Sequence, residues 1–156
     1  MIIQNDGDLF EHEHQAYAHG VSNLGIMNRG IATKFKKVYP QMFKDYKQLC
    51  QKKTLNPGDC FFYNSLEDLP SVFNLLTQDN IFQAGKFFLE ESIKEMYITS
   101  CEKGITDIAM PEIGCGLGNL EISDLIESLQ PFVNDSKHHV TIYSLTLPKN
   151  LPYQIL

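Results

Sequence analysis

The chain has 156 residues, a length that fits one domain, and its apolar share of 43% is enough to build a core. A formal net charge of −6 argues against sequence-independent nucleic-acid binding as a property of the whole surface, because such binding needs many Lys and Arg contacts to phosphates. A local anion site stays open, since backbone N–H groups at a helix N-terminus need no net positive charge. No apolar run approaches the ~18 residues of a membrane span. Asp6 and Asp8 stand where a secretion signal would carry a basic start and an apolar stretch. Cys50, Cys60, Cys101 and Cys115 are scattered, with no C-x-x-C pair, and read as reduced, mostly buried thiols. The expectation is a cytoplasmic monomer with no membrane partner, no metal and no cofactor.

Strands and helices alternate along the chain, which predicts a layered α/β domain spanning residues 1–156. Residues 1–4 are short and apolar, an edge strand, and residues 16–21 a second strand. A loop over 25–30 leads to a helix over 31–37. After Pro40, a further helix over 41–52 carries Met42, Phe43, Tyr46, Leu49 and Cys50 at helical spacing. Pro57-Gly58 marks a turn, and residues 59–64 and 72–77 read as strands around a turn at 66–70. The clearest helix covers 86–103, with Leu89, Ile93, Met96, Tyr97 and Cys101 inward and Gly104 as its C-terminal cap. A buried strand over 107–110 ends at Pro111. Ser123 is expected to cap a helix reaching Phe132 with Leu125, Ile126 and Leu129 inward. Residues 140–145 form a last strand, and 146–156 an extended tail. Phe61, Phe62, Phe73, Phe82, Phe87 and Phe88 are assigned to the core.

Two glycine loops sit between a strand and a helix. One holds Gly25, Met27, Asn28, Arg29 and Gly30; the other runs Ile113-Gly114-Cys115-Gly116-Leu117-Gly118. Glycine lets backbone approach a ligand closely, and the helix that follows offers unpaired N–H groups to an anion. Each loop alone is equally well explained as a tight turn. Together, at the carboxyl ends of sheet strands, they suit the two ends of a diphosphate.

Three segments in this order, GDLF from Gly7, HGVSNLGIMNRGIATKFKKVYP from His19 and DIAMPEIGCGLGNL from Asp107, resemble the macrodomain family. They are most similar to the branch of terminal ADP-ribose glycohydrolases and DNA-ADP-ribose-removing antitoxin macrodomains. The similarity reaches from about Ile3 to Leu145 and is poorest between Tyr63 and Phe87. The resemblance implies a three-layer α/β macrodomain fold, a mixed sheet between helices, with ADP-ribose in a cleft at one end. Asp8 would accept hydrogen bonds from the adenine amino group, with Leu9 beside it. Ser22 and Asn23 would face the distal ribose, although a strand-end hydroxyl bonded to backbone explains Ser22 as well. Met27, Asn28, Gly30 and Ile31 would flank the distal ribose and diphosphate. Ile113, Gly114, Cys115, Gly116, Leu117 and Gly118 would wrap the phosphates.

The sequence departs from the branch at the catalytic positions. Gln78 aligns with a lysine that attacks or positions the ribose C1″, and Gly118 with an aspartate after the second loop. Glutamine forms no Schiff base and glycine offers no acid or base. Asp79, one residue on, is a substitute after a register shift, and His19 an alternative acid/base or a hydrogen-bonded structural histidine. Asn28 and Arg29 interrupt a loop that is richer in glycine in the family; asparagine tolerates the left-handed conformation, so Asn28 need not break the loop, and Arg29 is expected to face solvent or add charge near the diphosphate. Lys34, Lys36 and Lys37 form a solvated helix face that can also attract a polyanion. Lys86 is a helix-surface charge. Cys115 is a packed thiol without a nearby base, and His12 and His14 lack further metal ligands. Phe82 and Tyr143 are both candidates to stack on a ring of the ligand. The expected function is hydrolysis of an ADP-ribose linkage, on protein or nucleic acid or at a 1″-phosphate, with ADP-ribose or an ADP-ribosylated macromolecule as partner. The alternatives are a non-catalytic ADP-ribose-binding module and a dinucleotide enzyme using the second loop as a Rossmann turn. The last lacks a following βαβ unit with a ribose-binding acid.

Overall fold

The computed structural model describes residues 1–66, 68–78, 85–115, 119–134 and 137–144, with the backbone of 154–155. In chain order it contains β1 (Ile2–Asp6), a single 3-10 turn (Leu9–Glu11), β2 (Ala16–Val21), α1 (Ile31–Val38) and α2 (Pro40–Gln51). There follow β3 (Cys60–Tyr63), β4 (Ser71–Leu76), α3 (Lys86–Lys103), β5 (Asp107–Pro111), α4 (Ile122–Val133), β6 (His139–Ser144) and the two-residue β7 (Gln154–Ile155). The strands form one mixed sheet in the order β3-β4-β2-β5-β6-β1-β7. β3 and β7 pair antiparallel at its two edges, and the strands between are parallel. Among the described residues no helix is long and apolar enough to cross a membrane.

A parallel strand buried on both faces must be apolar along its whole length, and successive side chains must divide between two cores. β2 shows this division. Ala16 and Ala18 pack towards α3 and α4 with Phe73, Leu75, Leu89, Ile93, Leu125 and Ile142. Tyr17 and Val21 pack towards α1 and α2 with Phe35, Met42, Tyr46, Val72 and Leu76. The result is three layers, as the resemblance implies.

The predicted elements fall within a residue or two of the observed ones, and the exceptions have physical reasons. β1 is not an edge strand, because Ile2 and Ile3 pair with residues 155 and 154 of the tail. Ser123 does not cap α4. Glu121 does, in a capping box in which the Glu121 side chain accepts the Asp124 N–H and the Asp124 carboxylate accepts the Glu121 backbone N–H at 2.9 Å. Cys101 and Phe87 are exposed, the latter at 68%, because both project from α3 away from the sheet. Gly104 ends α3 with φ 69°, the left-handed cap expected of it. Lys86 is a surface charge, held by Glu127 at 2.9 Å and Asp124 at 3.6 Å.

Candidate functional site

A cleft of about 290 Å³ opens at the carboxyl ends of three adjacent parallel strands, β4, β2 and β5. Loops after such strands diverge, so a crevice forms there without any special sequence. Its walls are Gly20 and Val21 of β2 with Ser22 just past it, residues 26–32 leading into α1, Gln78 after β4, and Pro111 of β5 with residues 112–114 after it. Nine residues singled out from the sequence meet in it: Ser22, Met27, Asn28, Arg29, Gly30, Ile31, Gln78, Ile113 and Gly114. All but Gln78 come from two segments some ninety positions apart, which the β2–β5 pairing brings side by side.

Gly30 is the N-cap of α1, with φ 53° and ψ −137°, backbone that only glycine adopts without strain. It gives the helix no side-chain cap, and the first turn of α1 holds no acidic residue. The N–H groups and positive dipole end of α1 therefore face the cleft with no carboxylate in the helix's own first turn. Arg29 stands next to them on the cleft wall. Asn28 does not use the left-handed conformation that asparagine tolerates. In this loop Gly25 (φ 77°) and Gly30 make the turns, and the asparagine with positive φ is Asn119 (φ 62°), past the second loop. Arg29 is exposed, yet it lines the cleft, so solvent and site are not alternatives for it.

The second loop is closed by backbone bonds. Cys115 N–H donates to the Glu112 carbonyl at 3.1 Å, and Leu120 N–H to the Gly114 carbonyl at 2.9 Å. Gly114 has φ 80°, and a Cβ there would lie 2.7 Å from Leu120 Cδ1, so the closure requires glycine. Cys115 is half-buried, its Sγ 3.6 Å from the Ile113 carbonyl, and burial with the nearby Glu112 pushes its thiol up to about 11. That is a packed thiol, poorly suited to attack. Gly116, Leu117, Gly118, Asp79 and Phe82 lie outside the described residues.

Asp8, Leu9, Asn23 and Tyr143 are not part of the cleft wall. Asp8 caps the 3-10 turn by accepting the Phe10 N–H at 3.0 Å and is paired with Lys34. Desolvation pushes its carboxyl up, but Lys34 and the Phe10 N–H together outweigh this and hold it below the usual range. Leu9 is buried in the core beneath that turn. Ser22 Oγ accepts the Leu24 N–H at 3.3 Å, and its carbonyl accepts the Tyr46 hydroxyl, which ties α2 to the cleft wall. Asn23 Oδ1 is buried with no hydrogen-bond partner among the described residues. Tyr143 stacks on His12 at 5.1 Å and bonds His14 Nε2 at 2.8 Å, while His14 Nδ1 donates to Asp107 at 3.1 Å.

His19 is fully buried and does not line the cleft. Its ring stacks on Phe35 at 4.0 Å, and Nε2 lies 2.7 Å from Asn74 Oδ1. Asn74 Nδ2 donates to the Phe61 carbonyl, so Oδ1 is the acceptor and Nε2 carries the proton. Burial depresses the imidazole to about 4, which keeps it neutral.

Gly20, Ile26, Pro111 and Glu112 line the cleft without having been singled out from the sequence. Gly20 had a signal, a glycine inside a strand. A Cβ there would meet Thr77 Oγ1 at 2.7 Å and Ile113 Cγ2 at 3.1 Å. Glu112 had its place directly before the second loop. It supplies the one carboxylate, and Arg29 the one cation, among the described lining residues.

A family model described as "Macro domain" matches residues 18–128. The DNA ADP-ribosyl glycohydrolase of Mycobacterium tuberculosis is 27% identical over 132 residues, 83% of this chain but 38% of that protein, so the chain spans well under half the length of that relative. The human ADP-ribose glycohydrolase OARD1 is 28% identical over 89% of this chain and 88% of its own length. Candida albicans ADP-ribose 1″-phosphate phosphatase is 28% identical over 86% and 95%. Among solved structures, the macrodomain of Mycobacterium tuberculosis DarG superposes with TM-score 0.84 at 25% identity, covering 92% of this chain and 97% of that one. Thermosipho africanus DarTG in complex with ADP-ribose gives 0.79 at 25% identity, over 91% of this chain and 41% of that one.

Proposed function

The chain belongs to the Macro domain family, and from that premise we propose that its cleft binds ADP-ribose and that it hydrolyses an ADP-ribose linkage. The observation that carries the reading is the open N-terminus of α1 facing Gly114 across the ends of β2 and β5. A diphosphate between them meets backbone donors from both sides. Relatives named as glycohydrolases and as a 1″-phosphate phosphatase support the hydrolytic part.

In this reading the N–H groups at Ile31 and in the second loop hold the diphosphate, and Arg29 adds charge at its edge. Ser22 and Asn23 offer polar groups to the distal ribose, and Asp8 lies on the side of the adenine. Gln78 and Gly118 replace the lysine and aspartate of the resembling branch, so the step proceeds without a covalent lysine adduct. Water attacks C1″ as the bond from C1″ to the acceptor breaks, the acceptor leaves with the bonding pair, and the positive charge that develops on the ribose is offset by the negative diphosphate that the N–H groups hold beside it. Glu112, the carboxylate of the described cleft lining, takes the proton of that water; Asp79, next to Gln78 in the sequence, is the alternative. A second reading, binding without turnover, is favoured by Gln78 and Gly118, which stand where the resembling branch has its lysine and aspartate.

Incubation of the purified protein with mono-ADP-ribosylated protein, ADP-ribosylated DNA and ADP-ribose 1″-phosphate separates the two. Release from at least one is expected, and Glu112→Gln should slow it ~10²- to 10⁴-fold, the usual contribution of a general base, with ADP-ribose still bound. No release above buffer from any of the three leaves the non-catalytic reading.

A further inference from the structure

The net charge of −6 conceals a segregation. Of 13 lysines and arginines, eight fall between residues 29 and 53, where Asp45 is the only acid; the rest of the chain has five bases against 18 acids. Arg29 stands at the cleft, Lys34, Lys36 and Lys37 on α1, Lys44 and Lys47 on α2, and Lys52 and Lys53 just past it, and all eight are exposed. Lys34 is paired with Asp8. The other six lysines make no ion pair with a described carboxylate, and Lys36 lies over the Phe43 ring at 4.3 Å. A helical layer this basic on an acidic domain is not needed for solubility, and the repulsion it stores opposes folding.

We propose that the outer face of α1 and α2 is a docking surface for the phosphate backbone of a single-stranded nucleic acid, which it leads to the mouth of the cleft. The proposal rests on the reading of the cleft as an ADP-ribose site: the docked strand is then the molecule that carries the ADP-ribosyl group. Continuity is the first argument. α1 begins in the cleft wall at Ile31, and the α2 backbone at Lys47 packs 3.7 Å from where a Cβ on Gly25 of the first loop would be. The second argument is chemical. Lysine point charges suit phosphates and carry no sequence information. A protein partner would call for apolar anchors, and none of the exposed large apolar side chains lies between residues 29 and 53. Those nearest are Leu24, just before the first loop, and Ile26, which lines the cleft, where a base flanking the modified nucleotide can rest. A single strand is specified because an acceptor held in a duplex stack cannot bring its linkage into such a cleft.

The test uses unmodified fluorescent oligodeoxynucleotides of about twelve bases, followed by anisotropy at increasing salt, beside calorimetric titration of ADP-ribose. With roughly five phosphates neutralised, log K should fall with log salt at a slope of about −3.5, on the order of a hundredfold between 50 and 200 mM. The triple variant K37Q/K44Q/K52Q should reduce that slope by about 2 and leave ADP-ribose affinity unchanged. An unchanged slope in the variant overturns the proposal. So does equally tight binding of polyglutamate or of anionic vesicles, which would indicate a generic cationic face. ADP-ribose binding without oligonucleotide binding removes the docking surface and leaves the cleft reading; the opposite result removes the cleft reading.

Discussion

The two helical layers cover the same sheet and are built differently. Under α3 and α4 the core is mainly aliphatic: Leu75, Leu89, Ile93, Leu125, Leu129 and Ile142, with Phe73 as its large ring. Under α1 and α2 it is aromatic and polar, with Tyr17, Phe35, Tyr39 and Tyr46 around the His19–Asn74 pair. The cleft opens on the strand ends beside the second layer, and the basic face lies outside it. Aliphatic packing gives burial without direction. Tyrosines and a buried imidazole give direction as well, because each hydroxyl or ring nitrogen fixes a partner, as Tyr46 fixes the Ser22 carbonyl. One layer chiefly holds the sheet; the other also sets the positions of the site.

Substitutions in the two layers should therefore fail in different ways. Leu89→Ala, in the aliphatic layer, is expected to cost ~2–5 kcal/mol in denaturant unfolding, because the fully buried side chain leaves a cavity. ADP-ribose affinity of the folded fraction should not change; a weakened affinity would mean that the two layers are not separable.

The aromatic layer should be the acid-sensitive one. His19 has its imidazole depressed from 6.5 to about 4 in the folded chain. The unfolded chain therefore binds a proton first. The stability is fully present above pH 6.5 and is lost as pH falls towards 4, ~3 kcal/mol in all. His19→Gln can still donate to Asn74 and does not titrate in this range. Unfolding free energies at pH 7, 5.5 and 4.5 should fall more steeply for the parent than for the variant. Parallel curves would sink the assignment.

The smallest change tested is Gly30→Ala. Nothing lies within 4 Å of the added Cβ, so only the backbone conformation is penalised, by about 1–3 kcal/mol. If α1's N-terminus is the anion site, affinity should drop more than stability does. Equal losses would reduce Gly30 to a turn residue.

The alternation of strands and helices was legible where an element carries its own period, as α4 does over Ile122–Val133 with Leu125 and Leu129 turned inward. Ends depending on partners were not. β1 became internal through pairing with a tail about 150 positions away, and Glu121 took the cap of α4 through reciprocity with Asp124. The cleft loops were visible as glycines, but their division of labour was not: Asn28 has no need of positive φ once Gly25 and Gly30 supply the turns. Glu112 went unnoticed because one carboxylate before a glycine loop has no pattern of its own. The basic face was seen only as a lysine cluster on α1. Its extension along α2 is lost in the net charge.

The most direct measurement is calorimetric titration of the purified protein with ADP-ribose, with AMP and NAD as comparators. The account predicts one-to-one binding of ADP-ribose, well above both comparators, and its loss in Gly114→Val, where the side chain would meet Leu120 at a backbone φ of 80°. No binding of ADP-ribose, or binding no tighter than that of AMP, would contradict the assignment of the cleft.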